Sequence, residues 1–493
     1  MPTILHLLVA IASCAWCKGS EPQVCPAKGC IAESNAESRA IWSPSVVMSG
    51  VVAPALVHIQ EGRFQKVLSC GSKEASTYAK AVGLHLEIIA DVISPGLIDT
   101  HVHLSPLNRT WEGFTTGTRA AAAGGVTTVV LMPLNSLPPT TSPEALEMEL
   151  RVAAAAQLYA DVGFWGGVVP GNRKQLKPLL DAGVLGIKAF LSPLPAAAGF
   201  EAVSPEELAE AAPAIAGAGV PLLVHAELMT MHEIDERVDG AGGSTKSFMT
   251  FLSTRPRLFE QRAHQALVEI LDKTPGLHVH IVHLSDATSL GYIAAHQERL
   301  GAHRLTVETC PHYLLLAAEE IPDGDTRFKC FPPIREGWNR AVLFEGLLNG
   351  TISTVASDHS PCEIHMRQTQ SGDFFKAWAG LTALQYSLPA TWAAVAHAGL
   401  FESKEEAWTH LARWWSERPA ELAGLYNKGR LKEGFDADLV IWDPSAVSTQ
   451  EHSFHRHDGS AYAGRLLRGA VRETILRGRT VYKEGEHAVD AGQ

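Results

Sequence analysis

The chain has 493 residues, of which 46% are apolar and 19% charged, with a formal net charge of −12. A chain of this length exceeds one ordinary domain and can bury a sizeable core, so one large barrel-type domain with a smaller partner is expected. The acidic balance excludes a nucleic-acid binder, which needs a basic surface to neutralise phosphates, and the composition gives no sign of disorder or a collagen-like repeat.

In chain order, the first feature is the apolar run Ile4–Ala15, ILHLLVAIASCA. It is shorter than the roughly 20 residues of a membrane span. It fits a secretory signal peptide, with Ser13 and Ala15 as small residues for cleavage, although no Lys or Arg precedes it; an uncleaved extension is the alternative. Residues 1–36 are therefore read as a leader with a flexible segment, and the secretory pathway or endoplasmic reticulum as the destination; without a leader the chain would be soluble and intracellular. Cys14, Cys17, Cys25 and Cys30 fall in this stretch. The CxxC spacing of Cys14 and Cys17 lacks the second pair or the βαβ setting that a zinc or redox site needs. Asn108-Arg109-Thr110 and Asn349-Gly350-Thr351 are glycosylation sequons if the chain is secreted.

Residues 37–94 carry short β-branched runs separated by turn residues (VVMSG, LVHIQEGRFQKVLSCG, HLEIIADVIS), which read as strands. From 95 to 424 the pattern changes, and GVTTVVLMP, VGFWGGVVP, GVLGIKAFL, GVPLLVHAE, HVHIVHLS, LTVETCPH and TISTVASDH alternate with helical stretches. One of these opens on the helix-starting Ser142-Pro143-Glu144. Strand–helix alternation implies parallel strands with helical crossovers, and seven or eight units over about 330 residues imply a (β/α)8 barrel. An open doubly wound sheet is less well supported, because no GxGxxG or P-loop opens any unit. Strand character returns over 425–493 in ADLVIWDP and RETILRGRTVYKEGE, so the two ends can form one small β-sandwich.

Asp99-Thr100-His101-Val102-His103 follows the buried run VISPGLI. In a strand, residues i and i+2 share a face, so His101 and His103 project together and can hold one divalent metal. Satisfied core histidines are the alternative. His225 ends PLLVH, His283 ends HVHIVH and Asp358 ends TISTVASD, each at the carboxyl end of an apolar run, where barrel enzymes assemble their sites. Burying so many unpaired polar groups would cost on the order of several kcal/mol, and metal coordination offsets that cost. Lys188 lies inside the apolar run GVLGIKAFL. Burial favours its neutral amine, which can add carbon dioxide to give a carbamate able to bridge two metals; a lysine snorkelling to the surface is the alternative.

The ordered set Asp99 to His103, Lys188, His225, His283 and Asp358 resembles the amidohydrolase superfamily in its cyclic amidohydrolase branch. The surrounding words GLIDTHVHL, MPLN, GIKAFL, VHAE, HLSDA, ETCPHYL, KCFPPIR, SDHSPC, GDFFKAWAG and GFDADLVIWDP are most similar to the allantoinase family, from about Ala40 to Glu486. The resemblance implies a (β/α)8 barrel with a β-sandwich from both chain ends. It also implies two divalent metal ions, usually Zn2+, bridged by N6-carboxylated Lys188. His101, His103 and Asp358 would bind the more buried metal, and His225 and His283 the other. Asp358 would carry the catalytic proton, and Asn135, Ser360 and the backbone at Phe331 would contact the substrate. The substrate would be allantoin, a small molecule, with no nucleic acid and no membrane span, and the assembly a homotetramer. Against a hydantoinase or dihydropyrimidinase, the loop LSPLPAAAGFEAV after Lys188 has no Tyr, and Phe331 and Ser360 stand where those relatives tend to have Ser and Cys. That loop also departs from the usual allantoinase wording. A metal-free, non-enzymatic interaction paralogue would lack several of the six ligand positions, all of which are filled here.

Overall fold

The computed structural model describes residues 38–448 and 452–484, so the stretch expected to be a leader, with Cys14, Cys17, Cys25 and Cys30, lies outside the described residues. The N-terminal part supplies strands β1 (Arg39–Met48), β2 (Val51–Gln60), β3 (Arg63–Ser69), β4 (Leu86–Ile88) and β5 (Val92–Pro95). β2 and β3 meet through Glu61-Gly62, both with positive φ (51° and 75°), the conformation of a two-residue hairpin whose twist matches the strands. Glycine meets the second position without strain. This stretch is not strand alone: Ser72–Ala81 is a helix, which buries Ala75 and Ala79 at helical spacing against Ala40 and Leu56.

The middle of the chain gives β6 (Leu97–Val102), β7 (Val126–Leu131), β8 (Asp161–Phe164), β9 (Gly166–Gly167), β10 (Ile187–Phe190), β11 (Pro221–His225), β12 (His278–Ile281), β13 (Leu305–Thr309) and β14 (Thr354–Val355). All pairings among them are parallel. β8 continues through Trp165 into β9, and a parallel bridge between Val102 and His359 joins β6 to the segment after β14, so eight strand positions close into a barrel. Their residues are buried on both faces, as helix-covered parallel strands require. The covering helices start where the sequence signals them. Pro143–Ala154 is capped by the Ser142 hydroxyl, and Pro205–Ala218 by a Ser204–Glu207 capping box.

The C-terminal part adds β15 (Leu439–Ser448), β16 (Leu467–Leu476) and β17 (Arg479–Lys483). β15 pairs antiparallel with β5, from Leu439 opposite Pro95 to Trp442 opposite Val92, so strands from both chain ends share one sheet in the order β17-β16-β15-β5-β1-β2-β3. That sheet encloses its own apolar cluster, including Ile41, Val57, Phe64, Ile93, Leu439 and Ile475. At its junction with the barrel, Lys428 Nζ donates to Asp161 Oδ2 (2.8 Å) at the start of β8 and to Asp438 Oδ2 (2.6 Å).

Candidate active site

The six residues singled out in the sequence come from five barrel strands, five of them at or just beyond a strand's carboxyl end and Lys188 within its strand. His101 and His103 lie at the end of β6, Lys188 on β10, His225 at the end of β11, His283 two residues past β12 and Asp358 three past β14. None is more than 8% exposed. His283 and Asp358 both sit at positive φ (40° and 46°), a left-handed conformation uncommon outside glycine and found most often at functional sites.

His101, His103 and Asp358 form the cluster in which one ligand atom from each residue lies within 4.8 Å of the others. His101 Nε2 is 3.4 Å and His103 Nε2 3.5 Å from Asp358 Oδ1. On its other side His101 Nδ1 donates to Glu308 Oε1 at 2.7 Å, which leaves the Nε2 lone pair facing the carboxylate. Burial pulls His103 down to about 4, so its imidazole is neutral. Burial would raise the Asp358 carboxyl, but His101, His103 and His283 overcome it and hold the group well below the usual carboxylate range. Asp99 accepts the backbone N–H groups of His101 (3.1 Å) and Ser357 (3.2 Å), which ties the ends of β6 and β14 together.

The other three residues meet beside this cluster. His225 Nδ1 is 3.0 Å from His283 Nε2. His225 Nε2 donates to Glu227 Oε2 at 2.9 Å, and Arg255 grips both oxygens of Glu227 at 3.1 and 2.6 Å. Burial lowers both histidines, His283 well below its ordinary value. Lys188 is fully buried and Nζ has no hydrogen-bond partner, lying 4.7 Å over the Phe190 ring. Burial pulls its ammonium down to about 7, against the pull of Glu308 and Asp358.

Two imidazole nitrogens thus converge on one carboxylate oxygen, and a second imidazole pair meets beside them and an orphaned lysine nitrogen. That arrangement is costly for bare polar groups and is the donor set that a divalent cation satisfies. Ligand imidazoles must be neutral and carboxylates ionised, and burial lowers His103, His225 and His283 while the neighbouring histidines lower Asp358. The residues His101, His103 and Asp358 therefore fit a divalent metal.

The three expected substrate contacts are placed unequally. Asn135, at φ 70°, puts Nδ2 3.4 Å from His103 Nδ1, and its Oδ1 is buried without a partner. The Ser360 hydroxyl is committed to Asp358 Oδ1 (3.0 Å) and its N–H to Leu381 O (2.8 Å). Phe331 joins the site through Arg255, whose guanidinium lies 4.1 Å from its ring. The loop after Lys188 laces over this face, with Ala198 O accepting from Asn135 N (3.1 Å) and Ala197 O from Arg109.

Sequence reasoning did not single out Glu308 or Glu227. Glu308 Oε1 serves both His101 Nδ1–H and the His283 backbone N–H (3.1 Å). Burial would raise its carboxyl, but His101 and His280 hold it at about 2. The available signal was a carboxylate inside an apolar strand, LTVET, of the same kind as the lysine in GIKAF.

Residues 92–481 match the amidohydrolase family. An allantoinase of Arabidopsis thaliana is 45% identical over 414 residues, 81% of this chain and 79% of that one. An allantoinase of Saccharomyces cerevisiae is 39% identical over 453 residues, covering 90% and 95% of the two chains. Among solved structures, the L-hydantoinase (dihydropyrimidinase) from Arthrobacter aurescens superposes with a TM-score of 0.79 at 28% identity, over 91% of this chain and 97% of that one. The dihydropyrimidinase from Brevibacillus agri gives 0.78 at 26%, over 91% and 95%. The chain belongs to the amidohydrolase family and, within it, to the allantoinases.

Proposed function

We infer that the chain is a cyclic-amide hydrolase that opens the hydantoin ring of allantoin to give allantoate. The observation that carries the chemistry is the facing of His101 and His103 Nε2 onto Asp358 Oδ1, beside the His225–His283 pair and the unpartnered Lys188. His101, His103 and Asp358 would hold one cation, and His225 and His283 the other. Lys188, as its carbamate, would reach both. A histidine-rich set with one carboxylate favours zinc. When bound, such a metal pair makes a water nucleophilic near neutral pH and polarises the ring carbonyl.

The remaining work falls to the side chains. Asp358 accepts the proton of the attacking water at a carboxylate oxygen and delivers it to the departing ring nitrogen. The Ser360 hydroxyl steadies that carboxylate. Asn135 Oδ1 offers an acceptor for a ring N–H and orients the amide bond. Glu308 and Glu227 fix the tautomers of His101 and His225, so the opposite ring nitrogens keep their lone pairs.

Allantoin is favoured over hydantoin or dihydrouracil because the allantoinase relatives are 39–45% identical, against 26–28% for the hydantoinase-type structures. The test is ring opening of all three compounds by zinc-loaded protein, with a metal-stripped sample and Lys188→Ala in parallel. Allantoin turnover lost in both controls is expected; turnover of only another ring overturns the substrate, and metal-independent turnover overturns the chemistry.

Two broader proposals accompany this reading. The apolar run Ile4–Ala15 supports entry into the secretory pathway, tested by following the mature N-terminus in cells. The family resemblance supports a tetramer, tested by light scattering. Among the described residues no helix is long and apolar enough to cross a membrane.

A further inference from the structure

Glu112 lies in the loop after β6, is 1% exposed, and has no place in the metal set. Its Oε1 accepts the backbone N–H of Arg456 at 2.9 Å. Its Oε2 lies 3.3 Å from Nε2 of His359, the residue that follows Asp358. The His359 imidazole is completely buried, and its Nδ1 accepts the backbone N–H of Ala383 at 3.0 Å. That bond places the ring proton on Nε2, on the side of the Glu112 carboxylate, at charge-contact distance and out of line for a hydrogen bond. The backbone of His359 is fixed as well. Its carbonyl accepts the His103 N–H at 2.8 Å, and its N–H donates to Ser357 Oγ at 3.1 Å. The ring of His455 stacks on the His359 ring at 5.0 Å, with 27° between the planes.

Asp358 is held at φ 46° immediately before this residue. A non-glycine residue keeps such a conformation only where its surroundings over-determine it. The over-determination here is not made by the barrel alone. Arg456 and His455 belong to residues 452–466 ahead of β16, which are anchored on the segment after β14 by Gln385 Nε2 donating to His452 O (2.8 Å) and Ser460 Oγ donating to Thr382 O (2.6 Å). A carboxylate that holds the Arg456 N–H with one oxygen and lies 3.3 Å from the His359 ring nitrogen with the other can transmit that anchoring to the strand end that carries Asp358.

We propose that Glu112 is a positioning residue for the ring-opening reaction: it orients Asp358 through His359 and is itself held in place by the Arg456 segment. The inference rests on the reading of Asp358 as the proton carrier. Alanine at 112 removes the carboxylate that flanks His359 Nε2 and holds the Arg456 N–H, and frees the Asp358 carboxylate to reorient, whereas glutamine keeps an oxygen in the same place. Neither change replaces a residue of the proposed metal set.

The test compares Glu112→Ala, Glu112→Gln, His359→Gln and the double variant Glu112→Ala/His359→Gln with the unaltered zinc enzyme, on whichever of allantoin, hydantoin and dihydrouracil that enzyme opens. Expected are a fall in kcat of about 10–100-fold for Glu112→Ala, KM within about two-fold, and recovery of most of the loss in Glu112→Gln. Bound metal per folded chain should be unchanged, and the double variant should be no slower than its slower parent, because the two residues act in one line. The proposal is overturned if kcat of Glu112→Ala stays within about two-fold of the unaltered enzyme, if the two losses multiply, or if the loss merely follows lost metal or lost folded protein. Failure of the unaltered enzyme on allantoin would instead sink the substrate reading and leave this comparison standing on the ring that it does open.

Discussion

Glu308 Oε1 stands 2.7 Å from His101 Nδ1 and 3.1 Å from the backbone nitrogen of His283, so one carboxylate oxygen on β13 serves a residue of each proposed metal position. Removing it frees the His101 ring to turn and lets its proton move to the nitrogen that should face the metal. Glu308→Ala is expected to weaken metal binding by about 10–100-fold, while Glu308→Gln, which keeps an acceptor oxygen, loses less. Competition against a chromogenic chelator measures both. Equal affinity in all three proteins would show that Glu308 only fills space.

Lys188 gives a pH prediction. Burial pulls its ammonium from 10.5 down to about 7, and only the neutral amine reacts with carbon dioxide. Metal-stripped protein reconstituted with zinc and bicarbonate should therefore regain activity faster at about pH 8 than at about pH 6, where the ammonium dominates. The same shift has a stability consequence in the metal-free protein. Between about 7 and 10.5 the unfolded chain holds this proton and the folded chain does not, so the contribution of Lys188 to stability rises with pH across that window. Denaturant titrations of metal-free protein and of Lys188→Met at several pH values isolate this term; parallel curves would refute it.

Asp358 is the residue through which both the metal and the proton argument pass. Asp358→Asn keeps the shape and the contact with Ser360 but removes the base, and kcat is expected to fall by about 10²–10⁴-fold. Single-turnover measurement with metal content recorded in the same sample separates lost proton transfer from lost metal. A variant with full metal and near-normal turnover would reassign the proton to another group.

Lys428 offers a stability prediction remote from the site. It is nearly buried between Asp161 and Asp438, with Asp436 Oδ2 at 3.5 Å, where barrel and C-terminal sheet meet. Lys428→Met leaves these aspartates without their shared cation, although Arg477 still reaches Asp161. Removing one partner of a buried ion pair costs about 3–5 kcal/mol. Unfolding should shift accordingly, with kcat per folded molecule nearly unchanged.

The sequence by itself determined the kind of barrel and most of the chemistry. Apolar runs alternating with helical stretches dictate parallel strands, because each run must bury both faces under a crossover helix. The polar endings of those runs, HVH, PLLVH, HVHIVH and TISTVASD, and the lysine in GIKAF stood out because charge and hydrogen-bonding capacity are costly inside an apolar strand. What sequence could not decide was everything that depends on which distant groups become neighbours. The helix Ser72–Ala81 was hidden in a strand-rich stretch because its short alanine face gains meaning only against Ala40 and Leu56. The pairing of β15 with β5 needed the barrel to bring residues some 350 positions apart into register. Glu227 and Glu112 look like ordinary acidic residues in the chain, and Glu308 stands out only as a carboxylate inside the run LTVET. Only closure of the barrel places Glu308 on His101, Glu227 on His225 and Glu112 between His359 and Arg456, where burial turns a common carboxylate into a fixed hydrogen-bond acceptor.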